Sequence, residues 1–114
     1  MNRTFVMTTV FDKQWKSMGL HDSDLKRLQQ ELLNNPKTGS VIQGTGRLRK
    51  MRFPIEGRGK SSSIRVTYVD FTAYNIVYLI YAYPKSEKDN LTKEERNNIK
   101  KMIDAIEEAI DRRR

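Results

Sequence analysis

Residues 46–53, GRLRKMRF, gather the groups best suited to chemistry on an anion. Arg47, Arg49, Lys50 and Arg52 are threaded among Leu48, Met51 and Phe53 in a segment that reads as a strand. Side chains alternate across a strand, so if Met51 and Phe53 face inward, Lys50 and Arg52 share the opposite face, roughly 7 Å apart. Arg65 joins them if the connection between the two segments closes a hairpin. Three cations on one sheet face repel one another, and such repulsion persists where the intended ligand is itself anionic. Guanidinium groups clamp phosphate oxygens in pairs, which makes a phosphate-bearing ligand the natural complement.

Charge distribution points the same way. The chain has 114 residues and a net charge of +8, with a pI near 9.9. Between positions 47 and 65 lie Arg47, Arg49, Lys50, Arg52, Arg58, Lys60 and Arg65, against Glu56 alone, so that window carries +6 of the total. The excess is local, as an anion-binding face requires, and the remaining segments are nearly balanced.

Other chemistries are poorly supported. GRGKS at residues 57–61 has Pro54 where a phosphate-binding loop needs its first glycine, and it leads into a strand rather than a helix. GTG at 44–46 lacks a third glycine, position 49 being Arg49. His21 is the one histidine, in a loop before the second helix, and no metal-ligand spacing occurs, so neither a metal nor another cofactor is expected. Cysteine is absent, which fits a reducing cytoplasm. No secretory signal or membrane-length apolar run is evident.

The elements that must position these residues are legible in outline. RTFVMTT suits an N-terminal strand, and Phe11, Trp15 and Met18 follow at helical spacing. A second helix is capped by Ser23 or Asp22, striped by Leu25, Leu28, Leu32 and Leu33, and stopped at Asn34–Asn35 by Pro36. NPKTGSVIQGTG reads as a loop. Strands follow over Leu48–Phe53, Ile64–Phe71 and 76–83, the last apolar on both faces and therefore central. Thr92 and Glu95 form a capping box for a final helix striped by Ile99, Met102, Ile103, Ile106 and Ile110. Its C-terminal arginines complement the helix dipole. The expectation is one α+β domain spanning 1–114: a mostly antiparallel sheet, two N-terminal helices and one C-terminal helix. Tyr68, Phe71, Tyr74, Tyr78, Tyr81 and Tyr83 are read first as core or cross-strand residues, one or two of which could stack on a base beside the cations.

ELLNNPKTGSVIQGTGRLRKMRF, GRGKSSSIRVTYV and VYLIYAYPKSEKDNLT, in that order, resemble the RelE/ParE superfamily of toxins from bacterial type II toxin–antitoxin modules, nearest its HigB-like branch. The resemblance covers almost the whole chain. It implies a microbial RNase type of fold with a curved sheet, and cleavage of mRNA in the ribosomal A site. It further implies a cytoplasmic protein held by a helix-turn-helix antitoxin of HigA-like type, with operator DNA bound only through the complex. Carried over by position, Lys50, Arg52, Arg65 and Lys85 are the catalytic set, and Arg47, Arg49, Arg58 and Lys60 the RNA- or ribosome-binding set. The sequence departs from the branch at Arg47 (usually Gly), at Ser61–Ser63 (often Arg-Gly-Gly) and at Pro84–Lys85–Ser86 (usually Gly-Lys-Asn). Leu91 stands where some relatives have a tyrosine.

Attack by a 2′-hydroxyl needs a base, a stabiliser of the phosphorane and an acid. Arg52 and Arg65 suit charge stabilisation, which can contribute roughly 3–4 kcal/mol per group. Lysine is a base only where neighbouring positive charge or desolvation favours its neutral form. Lys50, between Arg49 and Arg52, is the candidate base and Lys85 the acid, and the two could exchange roles. Substrate alignment by the ribosome can supply roughly 7–11 kcal/mol, which is why so spare a set would depend on it. Two alternatives stay open: a ParE-like gyrase poison, and a noncatalytic basic nucleic-acid-binding domain.

Overall fold

The computed structural model describes residues 2–55, 63–87 and 90–113. Arg58 and Lys60, and with them most of the Gly/Ser-rich connection, lie outside the described residues. Among the described residues five strands form one open sheet: β1 (Thr4–Met7), β2 (Ser40–Val41), β3 (Arg49–Pro54), β4 (Ser63–Phe71) and β5 (Ile76–Pro84). The helices are α1 (Thr9–Ser17), α2 (Asp22–Asn34) and α3 (Lys93–Arg112). Strand order is β1-β5-β4-β3-β2. Neighbours run antiparallel except β1 and β5, which are parallel. The α+β arrangement expected from the sequence is therefore the one observed, and β5 is an internal strand between β1 and β4.

Each face of the sheet buries a separate apolar layer. On one side α1 and α2 bring Phe11, Trp15, Leu28 and Leu32 onto Met51, Phe53, Ile64, Val66, Tyr68, Val77, Leu79 and Ala82. Trp15 links the helices to β3, stacking on Phe11 at 5.4 Å and meeting Phe53 at 6.1 Å. On the other side Ile99 and Ile103 of α3 lie on Leu48, Val69, Phe71 and Ile80. Leucine or isoleucine truncation at such sites typically costs about 2–5 kcal/mol, so either layer is enough to hold its helices.

Helix starts follow side-chain chemistry. Thr8 Oγ1 accepts from Phe11 N–H at 3.0 Å. Thr92 Oγ1 accepts from Glu95 N–H (3.1 Å) while Glu95 Oε1 accepts from Thr92 N–H (2.8 Å), the reciprocal box read from the sequence. At α2 the expected cap moves: His21, not Ser23 or Asp22, precedes the helix, because Asp24 Oδ2 reaches back to the His21 N–H at 2.9 Å. A second difference is β2, which lies in the segment read as a loop and pairs Ser40 with Lys50 and Val41 with Arg49. The GTG turn is built against α3. Gly44 and Gly46 have φ of +87° and +85°, and a Cβ on Gly44 would lie 3.3 Å from Arg96 Cδ.

One irregularity decides which residues reach the uncovered part of the sheet. Thr67 pairs with Tyr81 and Tyr68 with Leu79, leaving Ile80 as an extra residue in β5. The bulge shifts alternation by one, so Val77, Leu79 and Ala82 face α1 and α2 while Ile80 and Tyr81 both face α3. Side chains satisfy the displaced backbone: Thr67 Oγ1 accepts from Tyr81 N–H (3.1 Å), Gln14 Oε1 accepts from Ala82 N–H (2.9 Å), and Thr8 Oγ1 donates to Ile80 O (2.7 Å).

Candidate RNA-binding and cleavage site

The apolar stripe of α3 covers Leu48, Val69, Phe71 and Ile80 but not the far end of the same sheet face. That end carries the cations. In register, Lys50 lies opposite Thr67, Arg52 opposite Arg65, and Arg65 opposite Tyr83. Directly opposed residues of an antiparallel pair share a face with Cα atoms about 4.5–5.5 Å apart, so Arg52 and Arg65 are immediate neighbours. The hairpin geometry anticipated from the sequence therefore brings Lys50, Arg52 and Arg65 to one surface.

The two arginines differ in their surroundings. Arg52 is exposed, and its Nε donates to Ser63 Oγ at 3.2 Å, turning the guanidinium along β4. Arg65 is half-buried, and its Nη1 is shielded from solvent with no hydrogen-bond partner among the described residues. An unpartnered buried donor costs free energy that a bound oxyanion recovers. Lys85 is exposed in the turn after β5, one residue past Pro84, which pairs with Ile64. It stands at the same end of the sheet as Arg65.

Arg47 and Arg49 are not part of this group. Arg47 Nη2 and Nη1 donate to the two Glu107 carboxylate oxygens at 2.7 and 3.1 Å, and its guanidinium lies 5.1 Å above the Phe71 ring. The Glu107 hydrogen bond holds the Arg47 guanidinium in its charged form and depresses the Glu107 carboxyl below the usual range. Arg47 thus ties the segment leading into β3 to α3. Arg49 pairs with Tyr68 on the α1–α2 side of the sheet, and its Nη1 donates to Gly39 O at 2.7 Å. Of the two arginines flanking Lys50 in sequence, only Arg52 shares its face.

Tyr81 and Tyr83, two of the strand aromatics that the sequence offered as core or base-stacking residues without choosing among them, belong to the cationic face, as does Thr67, which the sequence did not single out. Nothing in the unbroken apolar run IVYLIYAY marks the extra residue that turns them there.

Comparison with known proteins bears on this arrangement. The family model for the RelE toxin of the RelE/RelB toxin–antitoxin system matches residues 2–113. The chain belongs to the RelE toxin family. Among solved structures, a double arginine-to-alanine mutant of Escherichia coli toxin RelE in the free state superimposes with a TM-score of 0.52 at 15% identity. The match covers 75% of this chain and 86% of that one, and at that identity it speaks for the fold alone. This RelE-family chain is accordingly the toxin component of a toxin–antitoxin pair, with a cognate antitoxin as its partner. No helix among the described residues is long and apolar enough to cross a membrane.

Proposed function

We propose that this toxin is a metal-independent, ribosome-dependent endoribonuclease of HigB-like type, which cleaves mRNA in the A site and so halts translation in the cytoplasm. The observation that carries the reading is the Arg52–Arg65 pair on the sheet end that α3 leaves uncovered, with a buried Arg65 nitrogen awaiting an acceptor. A phosphate placed between opposed guanidinium groups meets both, and the charge that develops on a pentavalent phosphorane strengthens those contacts in the transition state.

In this mechanism Lys50, one step along the strand from Arg52, removes the 2′-hydroxyl proton. Oxygen attack on phosphorus then forms a 2′,3′-cyclic phosphate, and Lys85 protonates the departing 5′-oxygen. Arg58 and Lys60 add electrostatic attraction for RNA, and affinity falls steeply with salt. A HigA-like antitoxin silences the toxin, and operator DNA is engaged only through that complex.

The test is to map mRNA 5′ ends in a defined translation reaction, with and without ribosomes. New ends within A-site codons that require ribosomes and vanish in Arg65→Ala support the proposal. Intact mRNA in the presence of folded protein and translating ribosomes sinks it.

A further inference from the structure

Beside the cation cluster, where Leu91 and the N-terminal end of α3 overhang the sheet, lies a pocket of about 170 Å³. Ile42, Leu48, Leu91 and Ile99 give it apolar walls, Tyr81 and Tyr83 give it aromatic ones, and Gln14, Thr67 and Glu87 border it with polar groups. Pockets for drug-sized ligands run to about 300–1,000 Å³, so this one suits a single flat heterocycle rather than a whole nucleotide.

We infer that this pocket receives one nucleobase of the RNA, and that Glu87 selects a base presenting amino or imino donors, guanine best and uracil worst. The inference rests on the nuclease reading and extends it to specificity. Position argues for it first. Thr67, on the pocket wall, and Arg65, in the phosphate clamp, are two residues apart on β4 and face the same way. That is a step of about 7 Å, a separation one ribose can bridge. Aromatic walls next to a phosphate clamp are the usual way a protein holds an unstacked base.

Polar chemistry argues for it second. Gln14 Oε1 is already engaged by Ala82 N–H, so the end of that amide able to serve a ligand is the Nε2 donor. Thr67 Oγ1 accepts from Tyr81 N–H, which leaves its hydroxyl proton to donate. Glu87 is exposed at the mouth and, when ionised, only accepts. It is an acidic residue two positions after Lys85, in a pocket on the sheet face that also carries Lys50 and Arg65, where a general RNA-binding surface would have no use for negative charge. Guanine sets N1–H and N2–H side by side for a carboxylate. Uracil offers N3–H alone, flanked by two carbonyl oxygens that repel it.

The experiment is a titration of methyl-labelled protein with GMP, UMP and inorganic phosphate at low salt, followed at Ile42, Leu48, Leu91 and Ile99. The expected result is that GMP moves these methyls at concentrations about tenfold lower than UMP does, a discrimination typical of one bidentate contact. Phosphate alone leaves them in place, and Glu87→Gln, whose amide both donates and accepts, levels the two nucleotides. Equal responses to GMP and UMP, or methyls that no nucleotide moves at millimolar concentration, overturn the inference. End mapping on ribosomes with the same variant separates the two proposals. Cleavage that persists in Glu87→Gln with an unchanged base distribution removes the base pocket and keeps the nuclease. Methyls that respond to GMP in a protein that cuts no mRNA remove the nuclease and keep the pocket.

Discussion

Replacing Arg65 by methionine should make the protein more stable while sharply lowering the proposed cleavage of mRNA. Methionine keeps most of the unbranched stem and removes the guanidinium. Two costs disappear with it. The buried Nη1, without a partner among the described residues, carries a desolvation penalty of about 1–3 kcal/mol. The second is repulsion from Arg52, directly across the ladder, which is worth some tenths of a kcal/mol on a partly solvated face. Against these stands the loss of whatever the rest of the guanidinium contributes to packing. The balance is a gain of about 1–2 kcal/mol, which for a chain of this size raises Tm by about 3–8 °C. Urea unfolding at low and high salt is the suitable assay, since added salt screens the repulsive part and should shrink the gain modestly. Loss of one preorganised charge should meanwhile lower cleavage on ribosomes by about 10²–10³-fold. A variant destabilised by 1 kcal/mol or more would refute the reasoning, because the guanidinium would then be a packed structural group and not one held in readiness for a ligand.

Three further outcomes follow from the geometry. Glu107→Gln should cost at most about 1 kcal/mol at neutral pH, because the pair with Arg47 is over a third exposed on both sides and solvent screens it. The Glu107 carboxyl titrates lower when folded, so its stabilisation is present above the unfolded value of about 4.3 and is lost as pH falls through the folded one. Wild type and variant should therefore converge in denaturant titrations as the pH is lowered through the depressed folded value. Gly39→Ala should destabilise by about 1–3 kcal/mol, since its Cβ would sit 2.9 Å from the Lys50 carbonyl oxygen and 3.1 Å from the Tyr68 ring; thermal unfolding reads this directly. Thr67→Val leaves the Tyr81 N–H at the bulge without its acceptor, so a loss of about 1–3 kcal/mol is expected by urea unfolding. Cleavage on ribosomes should fall in the same variant, as Tyr81 and Tyr83 lose their fixed orientation.

What the sequence disclosed about this fold was carried by local rules. Leucines and isoleucines at helical spacing, the Thr92–Glu95 box and the Pro36 stop are statements about near neighbours, and the helices they predict are present. The meeting of Arg52 with Arg65 also came from local reasoning, because a hairpin and a period of two are enough to bring them together. What stayed hidden depends on distant partners. Arg47 carries the same charge as Arg52, yet its fate is set by a glutamate sixty positions away on α3. Its neighbour Arg49 was separable in principle, since alternation alone puts it on the other side from Lys50. β2 is too short to leave a pattern, and it exists because β3 offers an edge. The facing of Tyr81 and Tyr83 was obscured by the extra residue at Ile80, where Thr8, Gln14 and Thr67, from elsewhere in the chain, bond the backbone of Ile80, Ala82 and Tyr81 respectively.

That extra residue also alters how this chain should be compared with its relatives. Side chains before and after Ile80 obey opposite parities. A related strand without the bulge, aligned to this one without a gap, would match facing correctly up to Ile80 and then set each outward residue against an inward one. Tyr81 and Tyr83 would be scored as replacements for core positions, and real equivalents beside Arg65 would be scored as absent. Alignments of this segment therefore need one unmatched column at position 80, and a motif search written for an uninterrupted strand will miss the feature that aims these tyrosines.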